Sequence, residues 1–338
     1  MSTVLDCRWA MKKESVYNTP VVVDRFYPWM DGVESDWDPR PRQSQGLQGG
    51  NGRRGPLGSR WYLPIGQGSV KLKAELESKG GGVLLDWALG VSTVTSITGG
   101  SQIVFHTGIT GTVLPSATIQ VVKPLNTGSE TGTVETYSGC TASKITIEQP
   151  EDEAATIEVE ADARAYTTGT AAASPSYVAA PTIFDHYQGA VGMGGTLTVP
   201  TTTALATGLT AFADFRSWKL EIDQQIDDGR WVIGSRNQPI AGQQKIKFGG
   251  KVEYNSTTLT AGLVAGTRFP WYQTWTTTEA ISAGFAQLQV VVPQLALTKG
   301  LPKVKAGETT IQDVDASVTS DGTNKDVYVV LRTADTAL

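Results

Sequence analysis

Catalysis needs nucleophiles, bases or metal ligands within reach of one another, and this chain offers few. Its 338 residues include two histidines and two cysteines. His106, in IVFHTG, and His186, in FDHYQG, have no His or Cys neighbour at ligand spacing, so no zinc site is expected. Each reads as a partly buried residue at a strand end. Cys7 and Cys140 read as free thiols in a reducing compartment, not as a disulfide framework. There is no nucleophile elbow, Walker loop or zincin motif. AVGMGGTLTV (190–199) is glycine-rich, but no helix follows whose N-terminus would hold a phosphate. It reads as a turn leading into a strand. The expectation is a protein that is not an enzyme, with no metal and no cofactor.

The charged groups are more informative. EQPEDE (148–153) lacks the spacing of a calcium loop and reads as a solvated hairpin tip. Glu158, Glu160 and Asp162 alternate with Ile157, Val159 and Ala161, which places three carboxylates on one face of a strand. Like charges in such a row repel and need compensation, so the row reads either as a solvent face or as a deliberately negative surface. Arg40, Arg42, Arg53, Arg54 and Arg60 crowd one segment. The chain as a whole carries 33 acids against 28 bases, a net charge of -5, which is not the balance of a surface built to grip phosphate backbones. Acidic surface on a neighbouring copy is the better partner for those arginines. The aromatic group FPWYQTW (269–275) is either core or interface.

The elements that must position these residues are strands. SVKLKAEL (69–76), SATIQVVK (116–123), SKITIEQ (143–149), ATIEVEADARAY (155–166), RSWKLEIDQ (216–224), QKIKFGGKVEYN (244–255), AQLQVVVPQLAL (286–297) and DVYVVLRTAD (326–335) are strand segments, most of them alternating with period two as antiparallel strands with one covered face do. CRWAMKKES is a further candidate near the start. Gly249 and Gly250, inside one of these strands, read as a bulge or bend that lets a sheet curve. Helices are scarce: GGVLLDWALG (81–90), closed by Gly90, and STTLTAGLVAG (256–266). The class is therefore all-β with one or two short helices. Residues 34–60, rich in Pro, Gly, Gln and Arg and without periodicity, read as a long loop that is mobile or used in binding. Residues 167–181 read as a loose connector within a single domain spanning 1–338. The N-terminus has charges where a signal peptide has an apolar stretch, and no apolar run approaches the roughly 18 residues a membrane span needs. Synthesis in a cytosol, without a membrane anchor, is expected.

In order and spacing, these segments resemble the major tail tube proteins of long-tailed, siphovirus-like bacteriophages. MKKESVYNTPVVVDRFYPW (11–29) is similar to that family's first strand, turn and extended segment, with Asn18 where glycine is usual; asparagine also tolerates positive φ. GQGSVKLKAELESKGGGVLLDWALG (66–90) is similar to its strand, glycine step and short helix. YSGCTASKITIEQPEDEAATIEVEADARA (137–165) resembles its central hairpin, and RSWKLEIDQQIDDG (216–229) with GQQKIKFGGKVEYN (242–255) the second-half counterpart. LQVVVPQLALTKGLPKVKAG (288–307) and KDVYVVLRTAD (325–335) resemble the late and closing strands.

The resemblance implies a β-sandwich or half-barrel with a flanking helix. Six copies would close into a ring whose strands share one inner barrel, and rings would stack into a hollow conduit for the genome. Its partners would be further copies of itself, a tape measure protein in the lumen during assembly, tail terminator and tail tip proteins at the ends, and phage DNA in transit without specific binding. The protein would be part of the virion tail, assembled in the host bacterial cytoplasm. On this reading Glu158, Glu160 and Asp162 face the lumen and repel DNA. The five arginines make contacts between subunits or rings, with their loop ordered only in the assembled tube. The competing reading is a virion decoration protein or adhesin-like sandwich, expected to divide into repeated domains of roughly 100 residues.

Overall fold

In the computed structural model, residues 7–44, 58–107, 113–123, 133–282, 284–304, 307 and 309–336 are described. The chain opens with β1 (Arg8–Lys13), β2 (Arg25–Tyr27) and β3 (Glu34–Asp38), then the two-residue strands β4 (Arg42–Gln43) and β5 (Trp61–Tyr62). β6 (Gln67–Glu75) leads to helix α1 (Gly82–Leu89), β7 (Val91–Ile97), β8 (Gly100–His106), β9 (Ser116–Lys123) and β10 (Thr133–Gln149). Next come β11 (Thr156–Ala163), β12 (Ala165–Thr168), β13 (Gly189–Thr198), β14 (Thr207–Ala211) and β15 (Phe215–Asp223), then the short pair β16 (Trp231–Val232) and β17 (Ser235–Arg236). β18 (Lys245–Glu253), helix α2 (Thr258–Ala265), β19 (Arg268–Ile281), β20 (Gly284–Lys299), β21 (Pro302–Lys303), β22 (Ile311–Val318) and β23 (Tyr328–Thr333) complete the order.

Among the described residues all pairings are antiparallel, and two long strands, β10 and β20, organise them. The C-terminal half of β10 lies in a sheet ordered β3–β6–β11–β10–β15–β18–β22. Its N-terminal half pairs with β9 and β12, and β9 continues through β1 to β2. β20 is shared likewise: its C-terminal end joins β22, and its N-terminal half joins β19 on one side and β23, β8 and β7 on the other. Among the described residues the network branches and no strand pairing closes it into a ring, so the fold is an open all-β assembly, with the antiparallel strands that the period-two segments imply.

The places where the long strands change partners have visible chemistry. Pro293, lacking an N–H, falls between the last residue of β20 paired with β23, Val291, and the first paired with β22, Leu295, where no ladder donor is needed. In β10 the change comes at Gly139, with φ +64. An added Cβ there would sit 2.7 Å from Arg164. Glu14, from the ESVYNTP turn, is buried beneath this point, with no ion pair among the described residues. Its carboxylate accepts from Gly139 N (2.9 Å), Asn18 N (2.9 Å), Ser116 Oγ (2.7 Å) and Thr118 Oγ1 (2.8 Å). Four donors stabilise a desolvated carboxylate. The turn at Asn18, which has φ 57, and the Gly139–Cys140 step thus form one structure although far apart in sequence.

The core lies between the sheets and is centred on Trp9, Trp87, Trp271 and Trp275, all fully buried. FPWYQTW is therefore core through its two tryptophans. α1 packs against β1, β7, β8 and β10, with Trp87 Nε1 donating to Cys140 O at 3.1 Å, and it ends at Gly90 with φ 86. α2 buries only Leu259 and Gly262.

Two expectations need correction. Residues 34–60 are not one loop: Glu34–Asp38 is strand β3, in register with β6, and Arg42–Gln43 pairs with Trp61–Tyr62. The proline and arginine content hid a ladder held by its partner strands. Gly249 and Gly250 are also not a bulge. Both sit in regular register between β15 and β22, and the extra residue lies on the partner strand at Arg216, between Phe215 and Ser217. A Cβ on Gly250 would come within 2.8 Å of the Phe215 ring, so the glycine makes room for the aromatic beside the bulge. Of residues 167–181, the first two end β12, and 169–181 carry no helix or strand.

Candidate functional site

The sheet running from β3 to β22 buries one face and exposes the other. Along β6, Val70, Leu72 and Ala74 enter the core while Ser69, Lys71 and Lys73 point away. Because directly paired residues share a face, the registers lay the outward side chains in rows. One row reads Glu34, Lys71, Glu160, Lys144, Asp223, Lys245, a strict alternation of sign across six neighbouring strands. The next holds Lys73, Glu158, Thr146, Glu221 and Lys247. A third contains Glu148, Lys219, Gly249, Asp315 and Lys299.

Contacts run along rows and between them. Lys71 Nζ lies 3.1 Å from Glu158, Lys73 3.5 Å from Glu148, Lys144 3.8 Å from Glu160, Lys219 2.9 Å from Glu221, and Lys299 3.0 Å from Asp315. Hydrogen bonding to Glu158 raises the Lys71 pKa, and the Lys219–Glu221 bond raises the lysine and lowers the carboxylate. The compensation that a row of like charges requires is supplied by lysines on the flanking strands. Glu158 and Glu160 share one face, as expected, but that face is a balanced lattice and not a negative strip.

Asp162 departs from the expectation. It is buried against the fully buried Arg236, whose Nη2 lies 2.7 Å from both carboxylate oxygens. Gln67 Nε2 adds a bond at 3.1 Å. Arg236 also donates to Ala163 O and Asp228 O, and its own carbonyl accepts from Arg164 Nε at 2.9 Å. Burial pushes the Asp162 pKa up, against the pull of Arg236. This carboxylate pins the β16–β17 hairpin to the end of β11; its charge is spent on Arg236 and not offered to solvent.

The arginine segment is only partly described. Arg40, at φ 50, holds its guanidinium 4.5 Å from the centre of the Trp231 ring. Arg42 stands opposite Tyr62, and Arg60 ends a short helical turn at Gly58–Arg60. Arg53 and Arg54 lie outside the described residues. The β4–β5 and β16–β17 pairs meet around Arg40 and Trp231, beside a cleft of about 880 Å³ lined by Glu34, Asp36, Asp38, Asp223 and Asp228 with Lys71.

The remaining chemistry-bearing residues are scattered. His106 ends β8 with Nδ1 3.2 Å from Thr107 O, and burial lowers its pKa. His186 Nε2 lies 3.0 Å from Arg216 O, at the bulge. Cys7 and Cys140 are not joined in a disulfide. Among the described residues, no three of His, Cys, Asp and Glu are grouped to hold a metal, and no helix is long and apolar enough to cross a membrane.

Compared with known families, the chain matches the model described as phage tail tube protein over residues 5–322. The chain belongs to that family. This tail tube protein matches no curated protein. Membership makes it a structural component of the virion that self-assembles into a tube. Sequence reasoning found the carboxylates on the tail tube protein's polar face but missed their partners. The lysines of SVKLKAEL were visible as a period-two set in phase with one strand face; their match to TIEVEA was a signal that could have been used. Arg236 gave none, because it comes from a two-residue strand with no pattern.

Proposed function

We propose that this tail tube protein acts as one unit over its whole length, closes into six-membered rings and stacks into the tube of a non-contractile, siphovirus-like tail through which the genome passes. The observation that carries this reading is the polar face of the β3–β22 sheet. It is broad, continuous and solvated, five of its lysines (Lys71, Lys73, Lys144, Lys219 and Lys299) are paired with carboxylates, and among the described residues no strand pairs with the outer edge of β3. An open sheet with a free edge invites pairing with another chain, and barrel closure removes such edges.

On this reading the polar face lines the channel, with Glu158 and Glu160 on it. Their work is to neutralise Lys71 and Lys144, as Glu148 neutralises Lys73, so that these cations do not bind passing phosphates. Lysines that neutralise phosphates make DNA stick; lysines already paired do not. Asp162 takes no part in the channel charge. A tape measure protein occupies the lumen during assembly in the host bacterial cytoplasm, and terminator and tip proteins cap the ends. Electron microscopy of the purified protein at rising concentration, with and without a tail-tip nucleator, tests the reading. Stacked hollow rings with sixfold symmetry are expected. Persistent monomers under both conditions would overturn it.

A further inference from the structure

Ion pairing on the polar face leaves a remainder, and it falls on one strand. Lys245, Lys247 and Lys251 of β18 are exposed and point to one side, since Ile246, Phe248 and Val252 enter the core. Each stands opposite an acid in the register, and each of those acids is engaged elsewhere. Asp223, opposite Lys245, accepts from Gln225 N at 2.9 Å and from Gln225 Nε2. Glu221, opposite Lys247, is held by Lys219 at 2.9 Å. Asp313, opposite Lys251, is held by Lys303 at 2.7 Å. Among the described residues no ion pair on this face includes any of the three lysines. Glu221 and Asp313 owe their lowered pKa chiefly to hydrogen bonds from Lys219 and Lys303; Lys247 and Lys251 add to it only as unbonded charges. Within the row Gly249 presents no side chain, and a hollow of about 390 Å³ opens there, bordered by Lys219, Lys251 and Lys299.

We infer that this lysine row is a sequence-independent contact for the phosphate backbone of duplex DNA. The inference rests on the tube reading for bringing DNA to this face. Lysine is a point charge on a flexible stem, and an uncommitted lysine that neutralises a phosphate gains by releasing the counterion held there. The paired lysines of the neighbouring strands must first give up a carboxylate. The flanking positions decide which polyanion the row suits. The outward residues beside it are Ser217, Lys219 and Glu221 on β15 and Asp313, Asp315 and Ser317 on β22. None is aromatic or aliphatic, so a protein partner finds no anchor of the kind that dominates protein interfaces. For the same reason a single strand finds no ring on which to stack its bases. None is Asn, Gln or Arg, the side chains that read base edges in pairs of hydrogen bonds. Contact with the backbone alone is what remains. The acids on either side of the row keep that contact weak, so DNA is held lightly and still slides, as nonspecific electrostatic binding permits.

The test uses the full-length chain, unassembled and as tubes, in four forms checked for fold by circular dichroism. These are the wild type; Lys245→Gln with Lys247→Gln and Lys251→Gln; the same three positions changed to Arg; and Lys12→Gln with Lys325→Gln, one on β1 and one between β22 and β23. Binding of labelled duplex DNA to unassembled chains is followed by fluorescence anisotropy from ~50 to ~200 mM salt. The glutamine form is expected to bind roughly tenfold more weakly at the low end. Its slope of log affinity against log salt is expected to fall by about 2.7, at about 0.9 for each of three phosphates. The arginine form and the Lys12/Lys325 form are expected to match the wild type. An unchanged slope in the glutamine form, or an equal loss in the Lys12/Lys325 form, overturns the inference. Tighter binding of poly-glutamate than of duplex DNA at the same salt also overturns it and assigns the row to an acidic protein segment. Tubes separate this result from the tube reading. The glutamine form is expected to assemble as the wild type does and to retain less duplex DNA in open tubes. Wild-type chains that never assemble remove the tube reading, while the unassembled chains still decide the row. Wild-type tubes beside a glutamine form that binds DNA unchanged remove the row and keep the tube. Should the triple change misfold, Lys247→Gln with Lys251→Gln repeats the measurement, with a slope change of about 1.8.

Discussion

Asp162 shows what alternation along one strand can and cannot reveal. Its phase with Glu158 and Glu160 was legible, since every second residue of a strand shares a face. Its fate was not, because the deciding group, Arg236, is 74 residues away on a strand with no periodic pattern of its own. Removing one member of a buried pair leaves an uncompensated charge. Asp162→Ala is therefore expected to destabilise the folded chain by about 3–5 kcal/mol, read from urea unfolding with unchanged slope. By contrast, truncating Glu160, whose side chain is 45% exposed beside Lys144, is expected to cost under about 1 kcal/mol. Similar losses at the two positions would mean that the Asp162 pair is not what holds the hairpin. Glu14 carries the same lesson: its motif was legible as a turn, but the four donors that gather on it come from three separate segments.

Among elements, those with one covered face were read from their alternation. β6, β11, β15 and β18 alternate and appeared with nearly their observed bounds; β9 appeared too although both its faces are buried. β8 is buried on both sides over most of its length and so has no alternation to read. β4, β5, β16 and β17 exist through contacts with one another. Within β18, pattern alone could mark Gly249 and Gly250 as unusual but could not separate their roles. Gly250 faces the Phe215 ring, where a Cβ would lie at 2.8 Å, whereas the nearest atom to a Cβ on Gly249 is Asp315 Oδ1 at 3.8 Å. Gly250→Ala is expected to cost about 1–3 kcal/mol, the scale of overpacking. Gly249→Ala is expected to be neutral or to stabilise by up to about 1 kcal/mol, since glycine in a strand interior carries an entropic cost. Denaturant midpoints of the two variants decide the matter; equal effects would return the pair to a shared role in bending the strand.

For the whole molecule, net charge proved a poor guide to the local field. A chain at -5 suggested a negative bore, yet one row of the face proposed for the bore alternates sign across six strands, and five of its lysines stand in contact with carboxylates. What the channel shows to DNA is then set by pairing and not by totals. Neutralising Glu158 and Glu160 together as Gln leaves Lys71 and Lys144 without their nearest carboxylates, at 3.1 and 3.8 Å in the wild type. In assembled tubes every copy contributes the same exposed lysines, so the effect repeats along the channel. Tubes of the Glu158→Gln/Glu160→Gln variant are expected to retain duplex DNA about tenfold more strongly than wild-type tubes at ~50 mM salt, and to release it as salt rises, because each phosphate neutralised adds about 0.9 to the slope of log affinity against log salt. Single subunits provide the control. If the lattice faces the channel, retention in tubes depends on DNA length and on access through open ends. Equal binding by capped and open tubes would place the face on the outside, and unchanged retention in the variant would show that these carboxylates do not shield the lysines from DNA.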